Sequence, residues 1–197
     1  MRKAPLLALA LLAAGTADAQ ANKLIEPGPR DKIAKGAFSA TPEHEWNRLD
    51  DREGKYQEIW TIDGDPLNKV TFYGGVPIGE PLYKERDRKN QPLPKVSEGM
   101  LITDIPVLLE NTYRTLSPGI RIAIGAQHPA DFSGAKGIRF AYVFTSNHDE
   151  VERRAEAIGA VRDGRLYLIT YEAPAIYFHD KDIAKFRQIV ESVRIRE

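Results

Sequence analysis

Residues 56–62 alternate in a way that fits an extended chain. Tyr56, Glu58, Trp60 and Ile62 share one face, and Gln57, Ile59 and Thr61 share the other. A period of two is the strand signature. Asp63-Gly64-Asp65-Pro66 is turn chemistry, and LNKVTFYGG after it reads as the partner strand, with Val70 and Phe72 on one face. The same period returns later. Ile120, Ile122 and Ile124 share a face, as do Phe140, Tyr142 and Phe144, with Ala141 and Val143 opposite. In VERRAEAIGAV, Val151, Ala155, Ala157 and Val161 alternate with charged residues and Ile158. Asp163-Gly164 tolerates the positive φ of a tight hairpin and predicts one there. The strand after it, LYLITYEAP, sets Tyr167, Ile169 and Tyr171 on one face and Leu166 and Leu168 on the other. Apolar residues on both faces predict a central strand covered on both sides.

Two segments switch to helical spacing. In TDIPVLLENTYRTL, Ile105, Leu108, Leu109, Thr112, Tyr113 and Leu116 line one face, with Thr103 placed to cap. Near the end, KDIAKFRQIVESVRI carries the stripe Ile183, Phe186, Ile189, Val190 and Val193, with Asp180 or Asp182 as the expected cap. Each stripe needs a partner, and a sheet supplies one. GAFSATP predicts a short first strand ending near Thr41-Pro42. Residues 20–35, with two prolines and mixed charge, read as a tether into a single domain spanning 36–197. Residues 74–99 read as a long loop rich in glycine and proline, which in a compact domain is either functional or mobile.

The first nineteen residues change the compartment. Arg2 and Lys3 precede a short apolar run, Leu6 to Ala14, and Ala17 and Ala19 form an A-x-A site for signal peptidase. The run is too short to span a bilayer, which takes about 20 residues. A periplasmic or secreted chain is therefore expected, neither membrane-spanning nor carrying a lipid anchor, since no cysteine follows the signal. The chain has no cysteine at all, so burial must stabilise it without disulfides, and thiol catalysis and iron–sulfur clusters are excluded. Its formal net charge is zero, which gives no footprint for nucleic acid.

FSATPEHEW near the start and GRLYLITYEAPAIYFHDKDIAKFRQIVESVRI at the end carry a resemblance. The arrangement resembles the PsbP-like superfamily. That resemblance implies an α+β fold in which an antiparallel β-sheet is sandwiched between α-helices. It also implies a role in docking onto larger assemblies, by analogy of fold. No binding residue of the superfamily maps onto a motif position here.

Candidate chemistry is sparse. Three of the four histidines, His44, His148 and His179, stand beside carboxylates, and His128 does not. A metal site would need several segments to converge, because no local ligand spacing exists. No G-x-S-x-G elbow and no P-loop occur, and GAKG reads as a hairpin loop. Glu58, Glu152 and Glu172 lie on expected strands, where paired carboxylates could act as acid and base. Trp46, Trp60, Tyr56 and Tyr73 serve either a core or a groove.

The expectation is a non-catalytic accessory protein with no catalytic residues, metal or cofactor, docking on an unknown envelope protein or complex. Its candidate partner surface comprises Trp46, Lys84, Arg86, Arg88 and Lys89. The alternatives are a small periplasmic enzyme with a dispersed histidine–carboxylate site, and a carrier of a small hydrophobic ligand.

Overall fold

The computed structural model describes residues 22–146 and 149–196. In chain order its elements are β1 (Lys23–Ile25), β2 (Arg30–Ile33), β3 (Phe38–Ala40), β4 (Trp46–Leu49), β5 (Gln57–Thr61) and β6 (Lys69–Pro77), followed by α1 (Asp104–Leu116). Then come β7 (Arg121–Phe132), β8 (Ala135–Thr145), β9 (Glu152–Arg162), β10 (Arg165–Pro174), α2 (Phe178–Ser192) and β11 (Arg194–Ile195). Eight strands form one sheet in the order β1-β4-β5-β6-β10-β9-β8-β7, and β11-β3-β2 form a second. All the pairings are antiparallel.

Turn chemistry sets the hairpins. Ser133-Gly134 and Asp163-Gly164 both take positive φ, the geometry of two-residue turns whose twist matches their strands. β10 is central and buried along nearly its whole length, as its two-faced apolar pattern predicts. On one side Tyr167, Ile169 and Tyr171 pack with Phe38, Trp60, Phe72 and with Phe186 and Ile189 of α2. On the other, Leu166 and Leu168 pack with Phe140, Tyr142 and with Ile105, Leu108 and Leu109 of α1. The sheet is thus covered by a helix on each face, an antiparallel α+β sandwich. Each fully buried side chain of this kind contributes about 1.5–3 kcal/mol.

Four local expectations are corrected. Residues 23–33, read as a tether, form β1 and β2; Ile25 and Ile33 are buried in the core. β1 pairs with β4 and β2 with β3, so each short strand is held by a partner further along the chain. Trp46, expected at a partner surface, is 1% exposed and belongs to the α2-side core. Thr103 makes no capping bond; the Asp104 carboxylate instead accepts the Leu101 amide at 2.9 Å. Asp182 does not cap α2 but lies fully buried, accepting hydrogen bonds from Asn68 Nδ2 at 3.1 Å and Lys185 Nζ at 2.7 Å.

That buried pair clamps α2 to the turn between β5 and β6. Asn68 Oδ1 accepts the Ile62 and Asp63 amides at 2.8 and 3.2 Å, and Lys181 Nζ donates to Asp63 at 2.6 Å. Among the described residues no helix is long and apolar enough to cross a membrane. The A-x-A site at Ala17 and Ala19 lies outside the described residues.

Candidate functional site

The 26 residues between β6 and α1 carry no helix or named strand, yet they are fixed to the body. Leu82, Tyr83, Leu93 and Val96 are buried in the α1-side core. Backbone bonds tie the segment to itself and to the β4–β5 connection: Gly79 N to Val96 O at 2.8 Å, Val96 N to Glu80 O at 3.0 Å, Lys84 N to Glu53 O at 2.7 Å. The buried Gln57 side chain donates to Leu82 O at 3.2 Å. A Cβ on Gly54 would lie 2.3 Å from Leu82 O, so this approach needs a glycine.

Tyr83 anchors the loop through its hydroxyl. Tyr73 donates to the Tyr83 hydroxyl at 3.0 Å, Tyr83 to the Tyr113 hydroxyl at 3.4 Å, and Tyr113 to Glu172. Tyr142 donates to the same Glu172 oxygen at 2.5 Å. The chain therefore joins β6, the loop, α1, β8 and β10. Burial, with Glu172 nearby, pushes all four phenols well above their ordinary value of 10. They remain neutral donors, and the 3%-exposed Glu172 is the acceptor on which they converge.

Between this loop, the β4–β5 connection and the β2–β3 turn lies a cleft of about 590 Å³. Lys35, Arg52, Lys55, Lys84 and Arg88 line it, against Glu80 and Glu85. Lys55 pairs with Glu80 at 3.4 Å, and Arg88 approaches Glu85 at 3.6 Å. Lys35, Arg52 and Lys84 make no ion pair among the described residues. Lys35 sits at φ +62°, in a turn held by the Ala34 amide donating to Glu58 at 2.9 Å. Lys35 and Lys55 both stand over the Tyr56 ring, at 5.6 and 5.0 Å from its centroid. A protein of zero formal charge thus concentrates cations on a concave, preorganised surface, which attracts anions.

Of the residues expected at a partner surface, Lys84 and Arg88 line the cleft, and Arg86 and Lys89 are exposed beside it on the same segment. Lys35, Arg52 and Lys55 were not singled out by sequence; Lys35 comes from the β2–β3 turn and the other two from the β4–β5 connection, and no local spacing links them to the loop. Among the described residues the histidines do not assemble a site. His44 and His128 are exposed on the β3–β4 connection and β7, and His148 lies outside the described residues. His179 is buried; its Nδ1 lies 3.0 Å from Asp180, whose carboxyl it holds below the ordinary range. Among the described residues no group of three or more histidines and acids could hold a metal ion. Glu58 and Glu172 serve separate contacts, Glu58 accepting Trp60 Nε1 at 2.8 Å, and Glu152 is exposed at the start of β9.

No family model matches the chain, and no curated protein matches it in sequence. Solved structures do match. The solution structure of cyanobacterial PsbP from Synechocystis sp. PCC 6803 aligns with a TM-score of 0.57 at 14% identity, over 94% of this chain and 99% of that one. The crystal structure of the Ran-binding protein Mog1p of Saccharomyces cerevisiae aligns with a TM-score of 0.53 at 8% identity, over 90% and 96%. At these identities the likeness is one of fold, and the fold of this chain is PsbP-like.

Proposed function

We propose that this chain is a non-catalytic accessory module of the bacterial envelope, exported by the signal at residues 1–19, that docks a partner protein presenting an acidic segment to the basic cleft. The observation that carries the reading is the fixed loop: a long irregular segment is fastened to the core, and its outward side gathers Lys84 and Arg88 with Lys35, Arg52 and Lys55. Glu80 and Glu85 interrupt the positive surface. That pattern suits discrete carboxylates on a peptide better than the continuous charge of a nucleic acid or a bilayer. The Ran-binding protein Mog1p gives a precedent for protein recognition by this fold.

The test is cross-linked capture from the native envelope with the wild type and with the variant Lys35→Glu/Arg52→Glu/Lys84→Glu. One protein recovered by the wild type and lost by the variant is the expected result. Equal recovery by both would remove the cleft from the account, and background alone in both would remove docking.

A further inference from the structure

A second pocket, of about 320 Å³, opens at the far side of the tyrosine chain, where the ends of β6, β8, β9 and β10 meet α1. Glu172 lies in its wall although the residue is only 3% exposed. One carboxylate oxygen is taken by the Tyr113 and Tyr142 hydroxyls. The other faces Lys69 Nζ at 3.9 Å, beyond hydrogen-bond reach. Lys69 is shared between Glu172 and Asp65, the latter at 3.4 Å, and Arg153 is held by Asp149 at 2.5 Å. Three carboxylates of the lining, Asp65, Asp149 and Glu172, thus face two cations, Lys69 and Arg153, and one negative charge is in excess. Tyr113 stacks on Phe144 with centroids 5.5 Å apart and planes at 16°, giving an aromatic wall beside that carboxylate.

We infer that this pocket binds a small organic cation, a primary ammonium on a short apolar body, with the ammonium donating to Glu172 and the body against Tyr113 and Phe144. A buried carboxylate beside aromatic faces is favourable for an ammonium group. An anion would meet the excess negative charge of the described lining. A metal ion would lack ligands, since among the described residues no group of three or more acids and histidines is placed to hold one. The volume lies at the lower end for ligand pockets and suits a small molecule. Lys69 competes for Glu172 from 3.9 Å, so its charge tunes the affinity. The site is separate from the basic cleft and does not depend on docking.

The experiment is an NMR titration of the protein with benzylamine, with benzyl alcohol and benzoate as controls of the same shape. Saturable shifts at Tyr113, Phe144 and Ala173 with benzylamine, and none with either control, are expected. Glu172→Gln should weaken benzylamine at least tenfold. Lys69→Met, which removes the competing charge, should tighten it severalfold. Binding of benzyl alcohol as strong as that of benzylamine would reduce the pocket to an apolar crevice and overturn the inference, as would no saturable shift. Should Glu172→Gln fail to fold, Lys69→Met decides alone: tighter binding supports the ammonium, and unchanged or weaker binding overturns it.

Discussion

At the scale of single residues, Glu172 and Gly54 illustrate two different constraints. Glu172 could be placed on a strand from sequence, where it entered as one of three candidate carboxylates. Its partners could not, because Tyr113 and Tyr142 come from α1 and β8 and meet it only after folding. Glu172→Ala would leave two buried hydroxyls without an acceptor and should cost about 3 kcal/mol in urea unfolding. Tyr142→Phe, which deletes one donor and leaves the other, should cost about 1 kcal/mol. Gly54→Ala drives a methyl into Leu82 O, a backbone atom that cannot swing aside. It should destabilise by about 1–3 kcal/mol and raise amide exchange in residues 80–96 more than in β10. The four chained phenols have folded pKa values raised above the unfolded value of 10. Their contribution to stability is complete below pH 10 and is lost as pH rises above it. An ultraviolet pH titration should show these four ionising only together with unfolding; their ionisation in the native protein would contradict the buried chain.

At the scale of elements, legibility followed sequence distance. The β5–β6, β7–β8 and β9–β10 hairpins were readable because period-two strands flank turns with their own local chemistry. β1 and β2 were not, because three- and four-residue strands rich in charge are specified by pairing with β4 and β3 rather than by their own pattern. Asp182 was read as a cap because acids favour helix starts, but α2 begins earlier, at Phe178, and places Asp182 inward against Asn68. The exposed side of that clamp carries a pH signature. The hydrogen bond from Lys181 holds the Asp63 carboxyl below its ordinary 3.8, and the Lys181 ammonium is raised above 10.5. A lowered acid contributes above its unfolded pKa and is lost as pH falls through the folded value; a raised ammonium contributes below its unfolded pKa and is lost above it. The stability gap between wild type and Lys181→Met should stay level between about pH 5 and 9 and close below about pH 4. A gap that persists at pH 2 would place the effect of Lys181 in packing rather than in the ion pair.

At the scale of the whole molecule, the two amphipathic stripes and the two-faced β10 announce a sheet covered on both sides, and the structure has that sheet. The cleft was only half legible. Lys84 and Arg88 stand out in a charged run, whereas Lys35, Arg52 and Lys55 reach them from turns brought close by the β2–β3–β4–β5 path. The buried residues that hold the loop, Leu82, Tyr83, Leu93 and Val96, follow no period, so nothing local separates a pinned segment from a mobile one. The docking account rests on that distinction, because a preorganised cleft loses little entropy on binding and a floppy loop loses much. Native-state amide exchange decides it most directly. The Gly79, Lys84 and Val96 amides, each bonded to a carbonyl at 2.7–3.0 Å, should exchange far more slowly than the unstructured chain. Exchange of these three at free-peptide rates, while β10 stays protected, would contradict the account.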